Sequence, residues 1–470
     1  MLSCVLAAAW CGSIAAQTRP ATPVYIPFEE ARPALESLPD FVPEELKNAD
    51  AAATLAMWPK WIAKADAQIR GRLAAGDEDS LVNLLLFGTS FTTRPRLTAR
   101  RIETVIGSSP DPAVSGAKLD ELTQGRVDDL IRGAGGPGAN ERLAFAQRVF
   151  GGKGFALTTA EGQRQAKTFL LRALSRVLKE IDTYNRMIAQ AERSDAPGVA
   201  FAERSGLYRA RGLSSDTSLA SNFAVEEALK TLAANRYLPN PIRRVAIIGA
   251  GLDFTDKQEG YDFYPQQTLQ PFAVIDTLLR LRLAHPGNLN VTSFDLSPRV
   301  NAHLRALAAQ GRNGRAYVLQ LPLDASEKWR APFVAYWSAF GDRIGENVKP
   351  LAAPTNAGAL ELRAVSVRPE VAASIQSTDL NVVLQRFELP PEGRFDLVLA
   401  TNVFLYYNEL ERALAMANIQ AMVHPGAILL SNNALVELPV SRVRFAGATS
   451  VSYSERRDNG DTIVWYRCSE

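Results

Sequence analysis

Two hydrophobic periods divide the chain. Between about residues 41 and 235 apolar positions recur at three- and four-residue steps, as in Trp58, Trp61, Ile62, Ile69 and Leu73, which predicts helices burying one face. Gly76-Asp77-Glu78-Asp79-Ser80 predicts a break with acidic N-cap material ahead of Leu81 to Phe87. Gly133 to Gly138 marks a loop, and Thr158 with Glu161 makes a capping box. That box opens a long helix with the stripe Leu170, Leu174, Val177, Ile181, Tyr184, Ile188. Residues 18–40, rich in Pro and Ala, read as an extended arm.

From about residue 236 the pattern changes. Val245-Ala246-Ile247-Ile248 is a continuous run of β-formers ending in Gly249-Ala250-Gly251. A helix-period segment follows (Val274, Leu278, Leu281), then a strand from Leu289 to Phe294 ending in Asp295, then a helix from Val300 to Ala309. Later strands are predicted at Leu380 to Phe387, Phe395 to Thr401 and Ala427 to Ser431. Thr449 to Tyr453 and Thr462 to Tyr466 flank Asp458-Asn459-Gly460, a hairpin signal. Strand alternating with helix predicts a parallel sheet with crossover helices. The fold class is therefore α/β: a Rossmann-like, seven-stranded, mostly parallel sheet with a C-terminal hairpin, preceded by a mainly α-helical domain. The stretch from about 325 to 378 breaks the alternation and reads as an insertion.

Composition removes chemistry rather than adding it. The 52 Lys+Arg nearly cancel the 50 Asp+Glu among 470 residues, so no basic face argues for nucleic acid. Three Cys and three His exclude a disulfide framework or a Cys-based zinc site. Arginine outnumbers lysine in the helical region, where it is expected on solvated faces and in ion pairs. Residues 1–17 combine a short apolar run with Ala15-Ala16-Gln17. This predicts a cleaved signal peptide and a periplasmic or secreted protein, or a cytoplasmic one if the segment is retained. The run is too short for a transmembrane segment.

Glycines directly after a first parallel strand let a ligand approach the backbone, and an acid ending the second strand can accept both hydroxyls of a ribose. Asp295 can equally cap the next helix through Ser297-Pro298. Further on, Phe395-Asp396-Leu397-Val398 leads into Asn402-Val403 and Tyr406, with His424-Pro425-Gly426 downstream. This series resembles the class I methyltransferases that use S-adenosylmethionine. Its pattern is most similar to the chemotaxis-receptor glutamate methyltransferases, over roughly residues 240 to 470. The resemblance implies S-adenosylmethionine as cofactor, with Gly249 and Gly251 facing its methionine part and Asp295 holding the ribose. Leu296 would flank the adenine and Glu388 would face its amino group. Asn402 and Val403 would line the floor, with Asn402 and Tyr406 beside the methyl donor. The acceptor, a small molecule or a protein carboxylate, is not specified. Three positions depart from the family pattern: Ile247 replaces an acid, Asp253 replaces the third glycine, and Thr401 replaces an arginine.

Two segments stay open to more than one reading. The loop 253–264 carries four carboxylates and four aromatics, suited to a cation or an amino-group cage, or to packing on the insertion. Arg209 to Ser218 is either a domain linker or a closure over the ligand. A second functional expectation is an exported protein that keeps the fold as a binding or interaction module without catalysis.

Overall fold

The computed structural model describes residues 22–47, 49–191, 212–253, 260–456 and 459–469. The proposed signal segment and the first three residues of the Arg209–Ser218 stretch lie outside them. The chain starts with β1 (Val24–Tyr25), α1 (Phe28–Ser37) and α2 (Glu44–Lys47). The expected extended arm is thus corrected over its described part: Pro23, Pro27, Pro33 and Pro39 sit around and within a short helix that buries Phe28, Ala31 and Ala34. Next comes α3 (Ala51–Phe87), opened by Asp50, whose side chain accepts the Ala53 amide at 2.8 Å.

The helix α3 runs unbroken through Gly76, against the predicted break. A Cβ at Gly76 would lie 1.9 Å from the Leu213 carbonyl oxygen, so the glycine permits a chain crossing and does not end a helix. The acids that follow hold neighbouring elements: Glu78 pairs with Lys153, and Asp79 with Arg176. Then come α4 (Ala99–Ile106), α5 (Pro112–Gly135), α6 (Glu141–Gly152) and α7 (Ala160–Ala191). Together with the second half of α3, α5 to α7 enclose a core of their own around Leu84, Leu130, Phe150 and Leu170.

The sheet half begins with α8 (Leu219–Ala234) and continues β2 (Arg244–Ile248), α9 (Gln270–Arg280), β3 (Asn290–Asp295) and α10 (Pro298–Arg312). The insertion follows: β4 (Tyr317–Asp324), α11 (Ala331–Ala339), β5 (Gly345–Val348) and β6 (Leu360–Val367). Its strands pair as a separate antiparallel sheet in the order β4-β6-β5, so the insertion starts earlier than residue 325. The chain returns through α12 (Pro369–Ser374), β7 (Ile375–Asp379), β8 (Gln385–Arg386), β9 (Phe395–Ala400) and α13 (Glu409–Met422). It closes with β10 (Val423–Ser431) and the hairpin β11 (Val443–Ser452) and β12 (Gly460–Cys468).

The main sheet has seven strands in the order β11-β12-β10-β9-β2-β3-β7. Counted by appearance within the sheet, that order is 3-2-1-4-5-7-6. The central strands are parallel, and β12 runs antiparallel to both neighbours. This is the predicted Rossmann-like sheet, with its order reversing beside β2. The third strand is corrected from Leu380–Phe387 to Ile375–Asp379. Its sequence, IQSTD, is an edge strand with little apolar signal.

Alternate residues of β2 face opposite cores. Val245 and Ile247 join α8 and α9, whereas Ala246 and Ile248 join Trp58, Ile62 and Ile69 of α3. The helical domain predicted over 41–235 is therefore divided, because both α8 and the first half of α3 cover the sheet. The link from β7 to β9 carries no α-helix, only β8 and a turn. The N-terminal segment fills that place: β1 pairs with β8, and Trp58 Nε1 donates to the Ile26 carbonyl at 2.9 Å.

Candidate functional site

The carboxyl edge of β2, β3 and β9, where the strand order reverses, gathers most of the predicted residues. Gly249 and Gly251 adopt φ of +71° and +66°, backbone that favours glycine. The Gly249 amide donates to the Phe294 carbonyl at 2.8 Å, tying the loop to β3. A Cβ on Gly249 would meet only Val403 Cγ2, at 3.0 Å, and Gly249 remains half-buried. Gly251 is covered differently. A Cβ there would lie 2.7 Å from the Ser215 carbonyl.

Ser215 belongs to a strap formed by residues 212–218. The Leu213 amide donates to the Arg72 carbonyl at 3.1 Å. Leu252 donates to the Ser215 carbonyl at 2.7 Å and accepts from the Thr217 amide at 3.1 Å. Arg299, at the start of α10, donates to Ser215 Oγ at 2.7 Å. The described part of the predicted linker is thus a docked segment lying across the glycine loop.

Asp295 ends β3 and is 7% exposed. Its Oδ1 accepts the Ser297 amide at 2.8 Å, and its Oδ2 lies 3.5 Å from the Gly251 amide. It therefore does cap the helix that follows, with Ser297 as the N-cap of α10. Burial pushes its carboxyl up to about 6, against the pull of those amides. A carboxylate offers about four lone-pair directions; Asp295 spends one on a full-strength bond and one on a long bond. The remainder fits a ligand that brings a pair of hydroxyl donors.

At the end of β9, Asn402 holds a left-handed backbone, φ +57°. Such strain in a non-glycine residue persists where surrounding contacts hold it. Here Asn432, just beyond β10, accepts the Asn402 amide at 2.7 Å and donates back to its side-chain oxygen. Asn402 Nδ2 lies 3.4 Å from Ser221 Oγ on α8, and the residue is exposed. Val403 is half-buried beside Gly249. Tyr406 is also half-buried, and its carbonyl accepts from Arg72 of α3. Leu296 is half-buried against the core on the α13 face.

Glu388 is not at this edge. It is exposed on the connection into β9. Its neighbour Phe387 donates its amide to Met422, at the amino end of β10. The expectation followed from the misplaced third strand. The residues actually ending that strand are Asp379, Leu380 and Asn381. Arg70 of α3 grips Asp379 with two bonds, at 2.7 and 3.0 Å, and also binds Asp66. Asp66 in turn accepts from Asn381 at 2.7 Å. The strap is a segment for which the sequence left linker and closure both open, whereas Asp379, Asn432 and Ser221 were missed by sequence reasoning. Of these, only Asp379 and Asn432 carry a sequence signal, as polar residues at the carboxyl end of a strand.

The acidic-aromatic loop is a dock in its described part. Asp262 accepts from the amides and hydroxyls of Thr89 and Ser90, at 2.6 to 3.0 Å. Asp253 accepts from the Tyr264 hydroxyl at 2.7 Å and Gln267 at 2.8 Å. Tyr261 and Tyr264 pack with Ala357 of the insertion, and Arg96 lies 4.1 Å over the Tyr261 ring. Among the described residues no cluster of three or more His, Cys, Asp or Glu could hold a metal. Residues 254–259 lie outside the described set. Several arginines also depart from the expected solvated role. Arg126 is fully buried and donates to the carbonyls of Leu85, Gly88, Arg94 and Pro95; burial lowers it to about 10.

No protein-family pattern matches the chain, and no curated protein sequence matches it. Solved structures similar in part include three methyltransferases. The N-methyltransferase NodS from Bradyrhizobium japonicum is 10% identical over 52% of this chain and 97% of that one, with TM-score 0.25. Magnesium protoporphyrin IX methyltransferase from Synechocystis, determined with bound S-adenosylmethionine, is 11% identical over 53% and 79%, with TM-score 0.26. The CMeT domain of the citrinin polyketide synthase is 13% identical over 94% and 97%, with TM-score 0.28. At those scores the superpositions carry no weight. The fold stands on its own strand order.

Proposed function

We propose that this protein is an S-adenosylmethionine-dependent methyltransferase whose cofactor site is the carboxyl edge of β2, β3 and β9. The observation that carries the reading is the buried Asp295 carboxylate, with acceptor capacity to spare, beside two left-handed glycines at the reversal of strand order. S-adenosylmethionine supplies a methyl group on a positively charged sulfur, already activated for displacement. In this reading Asp295 accepts the ribose hydroxyls, Gly249 allows backbone approach, and Asn402 with Val403 forms the floor. Leu296 and the end of β7 flank the adenine, and Asp379 replaces Glu388 in that role. The strap at Ser215 excludes water from the loop, and methyl transfer depends chiefly on such positioning. The acceptor is a small molecule or a carboxylate. Calorimetric titration of purified protein with S-adenosylhomocysteine tests the reading. One-to-one binding that Asp295→Ala weakens at least tenfold is expected; a folded protein without detectable binding overturns it.

One observation favours a second reading, an exported module without catalysis. The strap closes the space over Gly251 with the protein's own backbone, as a fold that no longer admits the methionine end would. On that reading the mature protein starts near Gln17 outside the cytoplasm and binds no S-adenosylhomocysteine. N-terminal sequencing of fractionated cells separates the two.

A further inference from the structure

Where the strap runs into α8, Thr217 and Ser218 help to line a cavity of about 380 Å³ whose wall contains none of Gly249, Asp295 and Asn402. Its size falls within the range of small-molecule sites. One side is aromatic: Trp329 and Phe333 come from the insertion, and Tyr261 and Tyr264 from the chain between β2 and α9. Trp329 and Phe333 are fixed against each other at 4.9 Å between ring centroids. Phe333, Tyr261 and Tyr264 are buried and build the wall, whereas Trp329 is partly exposed and offers a flat apolar face at little entropic cost.

The charges around the cavity divide into satisfied and unsatisfied groups. Asp253 is held by Tyr264 and Gln267, Asp324 accepts from the Ser326 amide and hydroxyl, and Glu327 pairs with Arg456. Arg96 is buried and donates to the carbonyls of Phe87 and Gly260. Arg100 and Arg101 of α4 also line the cavity and are exposed, and neither pairs with a carboxylate among the described residues. Asp253 and Asp324 are thus hydrogen-bonded by neutral donors and Glu327 by a cation, which leaves the guanidinium groups of Arg100 and Arg101 as the charged groups open to a ligand, the type best matched to a carboxylate.

We propose that this cavity binds an aromatic carboxylate, its ring system against Trp329 and its carboxylate at Arg100 and Arg101. The claim goes beyond the methyl-transfer reading and does not depend on it. The test titrates the full chain calorimetrically with 2-naphthoate, with the uncharged 2-naphthamide as comparator. The same titrations use an Arg100→Ala/Arg101→Ala variant, whose substitutions are at exposed positions, with circular dichroism confirming its fold. Saturable one-to-one binding of 2-naphthoate is expected, at least tenfold weaker for the amide and for the variant. No saturable binding to folded protein, or equal affinity for acid and amide, or an unaffected double variant, overturns the proposal. A parallel titration with S-adenosylhomocysteine reports on the cofactor site separately, so failure of one claim is distinguishable from failure of the other.

Discussion

At the scale of single residues, Gly76 sets two effects against each other. Alanine in the middle of a helix is ordinarily favoured over glycine by about 1 kcal/mol. At Gly76 the added carbon would lie 1.9 Å from the Leu213 carbonyl, a backbone atom that yields only if the strap moves. Gly76→Ala is therefore expected to lower the unfolding midpoint in denaturant and to weaken any ligand bound under the strap. A raised midpoint would show that the crossing tolerates a methyl group. Asp295 gives a pH dependence of definite sign. Burial pushes its carboxyl up to about 6 in the folded protein, from the 3.8 usual for an aspartate in water. The folded state thus holds the proton more tightly, and stability rises as pH falls from about 6 towards 4. Above pH 6 the burial penalty is fully present. Asp295→Asn removes the charge, so its stability relative to the parent should be greatest at pH 8 and shrink towards pH 4. Thermal melts across that range would show it; a difference independent of pH would mean the carboxylate carries no penalty.

At the scale of elements, legibility followed locality. The runs Val245–Ile248 and Phe395–Ala400 announced their strands because buried parallel strands are apolar throughout. The closing hairpin announced itself by its turn. The third strand did not, since IQSTD is polar and lies at the sheet edge. The helix α1 was hidden by Pro33 and its flanking prolines, and the strap stayed open between linker and closure because its contacts join residues far apart in sequence. Gly249, Asp295 and Asn402 were legible as strand-end residues, whereas the error at Glu388 came from reading the wrong segment as a strand. The missing crossover helix between β7 and β9 makes the N-terminal segment part of the sheet's cover. Phe28 is 5% exposed and packs 5.8 Å from Trp58 between ring centroids. Phe28→Ala should cost about 3 kcal/mol, visible as a lower midpoint in the loss of sheet signal. An effect below about 1 kcal/mol would mean that α1 is an appendage.

At the scale of the molecule, the two sheet-facing cores and the bundle core are separate apolar clusters. The helix α3 passes from one to the other, its first half against the sheet and its second half inside the bundle. Beyond that covalent tie, several polar contacts join them among the described residues. Arg70 reaches Asp379, Arg142 reaches the carbonyls of Asp253 and Tyr264, and Asp262 binds Thr89 and Ser90. Of these, Asp262 is the most exacting: a buried carboxylate gathers the donors that follow α3 and so orients the whole bundle. Asp262→Ala leaves two hydroxyls and two amides without that acceptor, a loss of a few kcal/mol by the usual worth of bonds to a charged group. The apolar core of the bundle is untouched by the substitution, as is that of the sheet. Amide hydrogen exchange should therefore accelerate in residues 88–98 and at the start of α6, while β2 and β9 keep their protection. Equal acceleration in bundle and sheet would show that one cooperative unit spans both, with α3 as a rigid axle in place of a tether.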